Sequence, residues 1–101
     1  MSQRTTVATF GSVDLLRLMV ADAHASVRMA ITLNNDVSPD ILDQLANDKV
    51  PLIRECVAQH RRTPAETLIR LAHDTNGPVR QRVAQHPNTP DHIKVLMKLH
   101  S

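Results

Sequence analysis

Apolar residues recur at steps of three and four along most of this chain, which is the spacing of a helix that buries one face. No segment alternates between apolar and polar side chains as a half-buried strand does. Helix-breaking and helix-capping residues lie between the apolar stretches. The pattern predicts an all-α fold with helices at about residues 12–20, 27–33, 39–46, 52–59, 64–72, 78–85 and 90–99.

The same pattern repeats every 26 residues. Segments that begin at Val27, Ile53 and Val79 align without gaps, and each has Arg at its second position. The motif Leu-x-x-Leu-Ala-x-Asp occurs between them at residues 42–48 and 68–74, and a related Leu-x-x-Met-Val-x-Asp precedes the first segment. Self-similarity at this period is typical of a stacked array in which each unit covers its neighbour's apolar face. We therefore predict a right-handed α-solenoid, or superhelix, of about three and a half two-helix repeats with a period of 26.

A chain of 101 residues has room for one compact domain. We expect a single helical-repeat domain over residues 1–101. Its predicted parts are an N-terminal arm at 1–11, a partial repeat at about 12–26, and repeats at 27–52, 53–78 and 79–101.

Each unit contains a Ser-Pro or Thr-Pro pair at one joint between helices. A hydroxyl followed by Pro suits a helix start, because the hydroxyl can accept from a free backbone N–H and the Pro is already locked at helical φ. We therefore expect Ser38, Thr63 and Thr89 to be N-caps. Glu66 stands where it would complete a capping box with Thr63.

The segment Val-Ala-Gln-His-Pro-Asn-Thr-Pro at residues 83–90, with Leu71, Ala72 and Asp74 before it, resembles the variant leucine-rich repeat, an all-helical relative of HEAT and armadillo repeats. The resemblance covers nearly the whole chain after residue 12 and implies a helical solenoid. The family's unit is slightly shorter, and it commonly has Asn-Pro where this chain has His-Pro. A founding member carries an iron–sulfur cluster, but the single cysteine of this chain, Cys56, cannot build one.

Acidic and basic residues also recur as pairs six positions apart. This spacing is similar to that of HEAT repeats, in which such residues join successive units in a ladder of polar bonds. An Asp in the turn before a helix can accept from backbone N–H groups, and an Arg in the first helical turn can donate to the Asp of a neighbouring unit. We interpret the pairs as structural, because a stacked array needs the same residue in every unit. The pairs are Asp22 with Arg28, Asp48 with Arg54, and Asp74 with Arg80.

Positive charge is concentrated in the second half of the chain. Residues 1–50 contain four basic and six acidic side chains, whereas residues 51–101 contain eight and four. Such an excess can bind phosphates without selecting bases, although a solvated surface is the simpler interpretation. Phe10 is the only aromatic residue, so stacking on single-stranded bases is disfavoured. The candidate contacts to nucleic acid are Arg61, Arg62, Arg70, Arg80, Arg82, Lys94 and Lys98.

The first and last predicted helices are apolar over most of their circumference. Terminal units of a solenoid normally present a polar outer side, so some of this surface is expected to bind a partner protein or a second copy of the chain. In the alternative interpretation, the N-terminal arm folds back over one end. The candidate interface residues are Leu15, Leu18, Met19, Val95 and Leu99.

Specific chemistry is sparse. There is no glycine-rich phosphate loop and no nucleophile motif, so we expect neither an enzyme nor a small-molecule substrate. His60 and His86 occupy equivalent positions, but the first unit has Asn34 there, which favours a polar helix cap or a left-handed backbone over a metal site. No cofactor is expected. The chain has no apolar stretch of membrane-spanning length and no signal peptide, so we expect a cytoplasmic location and no membrane partner.

The sequence therefore predicts a non-enzymatic interaction or scaffold module that binds a macromolecular partner, most plainly another protein, through its groove or its ends. Binding to the backbone of nucleic acid through the basic C-terminal half is the alternative.

Overall fold

A computed structural model describes residues 13–100, with side chains from residue 15 onward. These residues form seven α-helices and no strand, which confirms the all-α prediction. The helix bounds lie within two residues of those predicted. The helices are α1 (Val13–Met19), α2 (Ala25–Ile31), α3 (Pro39–Leu45), α4 (Pro51–Gln59), α5 (Ala65–Leu71), α6 (Gly77–Gln85) and α7 (Asp91–Leu99). The predicted arm at residues 1–11 lies outside the described residues.

The even-numbered helices form a continuous row. Helix α4 packs against both α2 and α6, and each of these three helices also packs against the helix that precedes it. The Cα atoms extend over 45 × 21 × 15 Å, so the array is elongated. None of the described helices is long and apolar enough to cross a bilayer.

The core is aliphatic and uses the same positions in each pair of helices. Val27, Ile53 and Val79 are fully buried on α2, α4 and α6, and so are Leu42 on α3 and Leu68 on α5. Helices of seven to nine residues are unstable in isolation, so their stability must come from this packing. Each fully buried aliphatic side chain contributes about 1.5 to 3 kcal/mol.

Two of the predicted N-caps have a different role. Helix α5 has Pro64 as its N-cap and α7 has Pro90, so the predicted capping box of Thr63 and Glu66 is wrong. The hydroxyl of Thr63 donates to the carbonyl oxygen of Val57 at 2.6 Å. Both threonine side chains are buried against the end of the preceding helix, where carbonyl groups lack intrahelical donors. The hydroxyl of Thr89 donates in the same way to the carbonyl oxygen of Val83 at 2.7 Å.

Ser38 is the N-cap of α3, as predicted, but its side chain does not cap the helix. Its hydroxyl donates to the Oδ1 atom of Asp40 at 2.6 Å. The first turn of α3 is therefore stabilised by Pro39 at its start and by the negative charge of Asp40 rather than by a hydroxyl cap.

Candidate interaction site

Two ion pairs that are largely shielded from solvent connect successive helix pairs. The Nε atom of Arg28 donates to Oδ2 of Asp48 at 2.7 Å, and its Nη2 atom donates to Oδ1 of the same residue at 3.2 Å. The remaining Nη1 atom donates to the backbone carbonyl of Asp22 at 2.8 Å. Arg28 thus binds the turn before its own helix and the turn before the next helix of the row.

The same set of bonds recurs 26 residues later. Arg54 donates from Nε to Oδ2 of Asp74 at 2.7 Å, from Nη2 to Oδ1 at 3.1 Å, and from Nη1 to the carbonyl of Asp48 at 2.7 Å. The Oδ1 atoms of Asp48 and Asp74 also accept from the backbone N–H two residues further on. Each carboxylate therefore joins the turn that contains it to the preceding helix of the row.

Burial and ion pairing shift the pKa of these carboxylates in opposite directions. Burial alone would raise the pKa of Asp48, but the hydrogen bonds from Arg28 and from the backbone N–H of Val50 outweigh it and lower that pKa. The pKa of Asp74 is lowered by the same balance, with Arg54 as the donor. Hydrogen bonding to the carboxylates raises the pKa of both guanidinium groups, so the pairs are charged near neutral pH.

Arg80 begins the same set of bonds but does not complete it. Its Nη1 atom donates to the carbonyl oxygen of Asp74 at 2.6 Å, as the equivalent atoms of Arg28 and Arg54 do. The next carboxylate of the series would stand at position 100, which is His100. Within residues 13–100, no group accepts from Nε or Nη2 of Arg80, and its side chain is exposed.

Asn34, His60 and His86 stabilise the turns in which they lie. The Oδ1 atom of Asn34 and the Nδ1 atoms of His60 and His86 each accept from the backbone N–H two residues further on, at 2.8, 3.0 and 2.9 Å. The predicted left-handed backbone is absent, because no non-glycine residue described has a positive φ. The Asn and His side chains are interchangeable here because each places an acceptor at the same point.

The histidine rings also connect neighbouring turns. The Nε2 atom of His60 lies 2.9 Å from the carbonyl oxygen of Asn34, and that of His86 lies 2.7 Å from the carbonyl oxygen of His60. A carbonyl can only accept, so Nε2 carries a proton, and Nδ1 accepts from a backbone N–H and carries none; this pair of hydrogen bonds fits the neutral ring. Both nitrogen atoms are engaged, and the described residues contain no group of three or more potential metal ligands.

The seven basic candidate residues fall into three groups. Arg70 forms an ion pair with Asp43, and Arg82 forms one with Glu55 at 3.2 Å. Arg61 and Arg62 are exposed in the turn after α4. The third group, Arg80, Lys94 and Lys98, lines a single cavity.

This cavity, here called the terminal cavity, lies between α6 and α7 and has a volume of about 530 Å³. Among the residues that the structure describes, no acidic side chain lines it. Its apolar wall includes Ala84, which is exposed, whereas Ala58 at the equivalent position of α4 is fully buried. The lining residues are Ala72, Gly77, Arg80, Gln81, Ala84, Lys94, Met97, Lys98 and His100.

The apolar candidates at the two ends differ in exposure. Met19 is only 7% exposed and belongs to the core, so the structure excludes it from a surface contact. Leu15 is half-buried against the same core, whereas Leu18 is 78% exposed. At the other end, Val95 is 56% exposed and Leu99 is 73% exposed.

Helix α7 has a partly reversed pattern of polar and apolar positions relative to α3 and α5, although Met97 packs against the core as Leu71 does. None of its residues is buried. Lys94 stands where α3 and α5 have the buried Leu42 and Leu68. Conversely, Leu96 and Leu99 stand where the preceding unit has Arg70 and His73. The exposed face of α7 therefore includes Val95, Leu96 and Leu99.

Sequence analysis missed this reversal, although the signal is present in the 26-residue alignment.

Comparisons with family models, with curated proteins and with solved structures found no match to this chain. The resemblance to the variant leucine-rich repeat therefore stays a prediction.

The buried ion pairs predict unequal effects of two substitutions. Asp48→Ala leaves the guanidinium of Arg28 buried without its counter-charge, and we expect a loss of roughly 3 to 5 kcal/mol in the free energy of unfolding. Arg70→Ala removes one partner of a half-exposed pair and should cost less than about 1 kcal/mol. Urea denaturation of both variants measures the difference, and equal losses would contradict the structural role of the buried pairs.

The neutral state of His60 predicts a dependence of stability on pH. Burial, which is the largest effect, and the charges of Arg61 and Arg62 lower the pKa of His60 below its ordinary value of 6.5. The unfolded chain then binds a proton more readily than the folded chain, so this contribution to stability is present above about pH 6.5 and is lost as pH falls through the lowered pKa. We expect His60→Asn, which places the Asn34 side-chain type there, to flatten this slope.

The measurement is the free energy of unfolding between about pH 7 and pH 5, where one such group contributes at most about 1.4 kcal/mol per pH unit. His92 is exposed, so His92→Asn is the matched control and should keep the slope of the wild type. Parallel curves for wild type and His60→Asn would show that His60 does not titrate as described.

Proposed function

We propose that the chain is a non-enzymatic protein-interaction module whose partner binds the C-terminal end of the helical array. The contact surface consists of the terminal cavity and the exposed face of α7. We further propose that the array is a right-handed α-solenoid of about three and a half repeats, similar to variant leucine-rich and HEAT repeats. The recurrence of the Arg–Asp bonds at an interval of 26 residues supports this architecture.

The observation that carries the functional proposal is the reversed polarity of α7. In α3 and α5 the leucine side chains are buried, whereas Val95, Leu96 and Leu99 of α7 are about half to three-quarters exposed. Adjacent exposed aliphatic side chains on one helix face lose the hydrophobic stabilisation that burial would provide. A protein partner that covers this face restores that stabilisation.

The charge distribution also favours a protein partner over nucleic acid. Arg70 and Arg82 are each paired with a carboxylate, so only part of the predicted basic set is available for phosphates. Arg80, Lys94 and Lys98 surround a cavity with apolar walls rather than an open charged surface. Such a cavity suits a side chain or helix that presents both apolar and acidic groups.

Site-specific photo-crosslinking tests this proposal. A photo-reactive phenylalanine analogue replaces Leu99 in the full chain, and the variant is irradiated in an extract of its native cells at about 50 and 200 mM salt, with and without nuclease. We expect one dominant protein adduct that survives both nuclease and the higher salt, because apolar contacts do not depend on counterion release.

Leu52 on α4 provides the matched control, since it is an exposed leucine at 56% exposure on another helix. The analogue at Leu52 should give no such adduct. Equal adducts from both positions would contradict a specific site on α7. Adducts that disappear with nuclease or at about 200 mM salt would favour the nucleic-acid alternative instead.

A further inference from the structure

Arg80 has two N–H donors, at Nε and Nη2, whose equivalents in the other arginines of the row bind an Asp carboxylate. In Arg28 and Arg54, Nε and Nη2 both bind the carboxylate of an Asp in the turn before the next helix of the row. Arg80 is held by the same Nη1 contact to the preceding turn, at 2.6 Å. The guanidinium group of Arg80 is therefore already held through Nη1, and its Nε and Nη2 donors point to a further acceptor.

The surface beside Arg80 matches an interface between helices of the row. Ala58 is fully buried on α4, which packs against α6. Ala84 occupies the equivalent position on α6 and is exposed in the wall of the terminal cavity. A small side chain at this point allows close approach of another helix.

A second cation of the terminal cavity defines the charge of its occupant. Lys94 replaces Leu68 of the preceding unit and lines the cavity with Arg80, and no carboxylate is found among the described lining residues. A cavity of one sign attracts an oppositely charged segment and disfavours a basic one. The apolar wall formed by Ala84 and Met97 requires that this segment also has an apolar face.

We propose that the terminal cavity binds a helix of a partner protein that is preceded by an Asp-containing turn. The Asp carboxylate accepts hydrogen bonds from Nε and Nη2 of Arg80, and the helix packs on Ala84 and Met97. This inference rests on the proposed function and specifies the chemistry of the partner. The partner thus supplies the contact that Asp48 makes to Arg28 and Asp74 makes to Arg54.

The chain itself provides a probe for this contact. A synthetic peptide with the sequence of residues 46–60 contains Asp48 and α4, the segment that binds Arg28 within the array. The full chain, labelled with ¹⁵N, is titrated with this peptide under reducing conditions and followed by NMR. We expect saturable shift changes at Arg80, Ala84 and Met97.

Two substitutions locate the carboxylate contact. Asp48→Asn in the peptide and Arg80→Ala in the chain should each weaken binding about tenfold or more, because each removes a bidentate, charge-assisted pair. Arg80→Lys should also weaken binding, since Lys keeps the charge but lacks the planar pair of donors. Arg62→Ala is the matched control, because Arg62 is exposed and does not line the terminal cavity, and it should bind as the wild type does.

Several results would overturn the inference. Absence of saturable binding, shift changes centred on Arg61 and Arg62, or equal affinity for the Asp48→Asn peptide would each do so. Sedimentation of the unliganded chain as a dimer with the Arg80 donors engaged would identify the occupant as a second copy. If the peptide fails while the Leu99 adduct persists, the proposed function stands and only the Asp–Arg80 chemistry is lost.

Discussion

The buried ion pairs of Arg28 with Asp48 and of Arg54 with Asp74 are the interaction on which the rest of this structure depends. Helices of seven to nine residues have little stability of their own, and aliphatic packing alone tolerates more than one register. A buried ion pair tolerates only one register, because displacement of either partner leaves an uncompensated ion in a medium of low polarity. The pairs thereby fix each helix of the row against the next.

This constraint has a consequence at the C-terminal end. Arg28 and Arg54 each bind the Asp carboxylate of the next turn, whereas the equivalent position after Arg80 is His100. The helix that follows Arg80 has Lys94 where its predecessors have buried leucines. Three apolar residues of α7, Val95, Leu96 and Leu99, lie on its exposed face. The bonds that stabilise the array thus also create its candidate binding site.

Sequence periodicity predicted the helices well, because apolar spacing and the 26-residue alignment act locally. It failed where a side chain contacts another part of the chain. The Thr-Pro pairs are typical of helix starts, but burial directs the hydroxyls of Thr63 and Thr89 to the preceding helix. Likewise, the alignment shows that Asn and His exchange, but not that their side chains accept from the same turn N–H. Met19 is a core residue although the sequence places it among the interface candidates, because the apolar pattern alone does not distinguish a core position from an exposed position at the end of the array.

The Arg–Asp series is complete at Arg28 and Arg54 and open at Arg80. Solvent exchange of the arginine Nε–H groups, measured by NMR on the unliganded chain at low concentration, tests this difference directly. We expect slow exchange for Arg28 and Arg54, whose Nε atoms bind carboxylates, and fast exchange for Arg80. Slow exchange at Arg80 in the unliganded monomer, or fast exchange at all three residues, would contradict it.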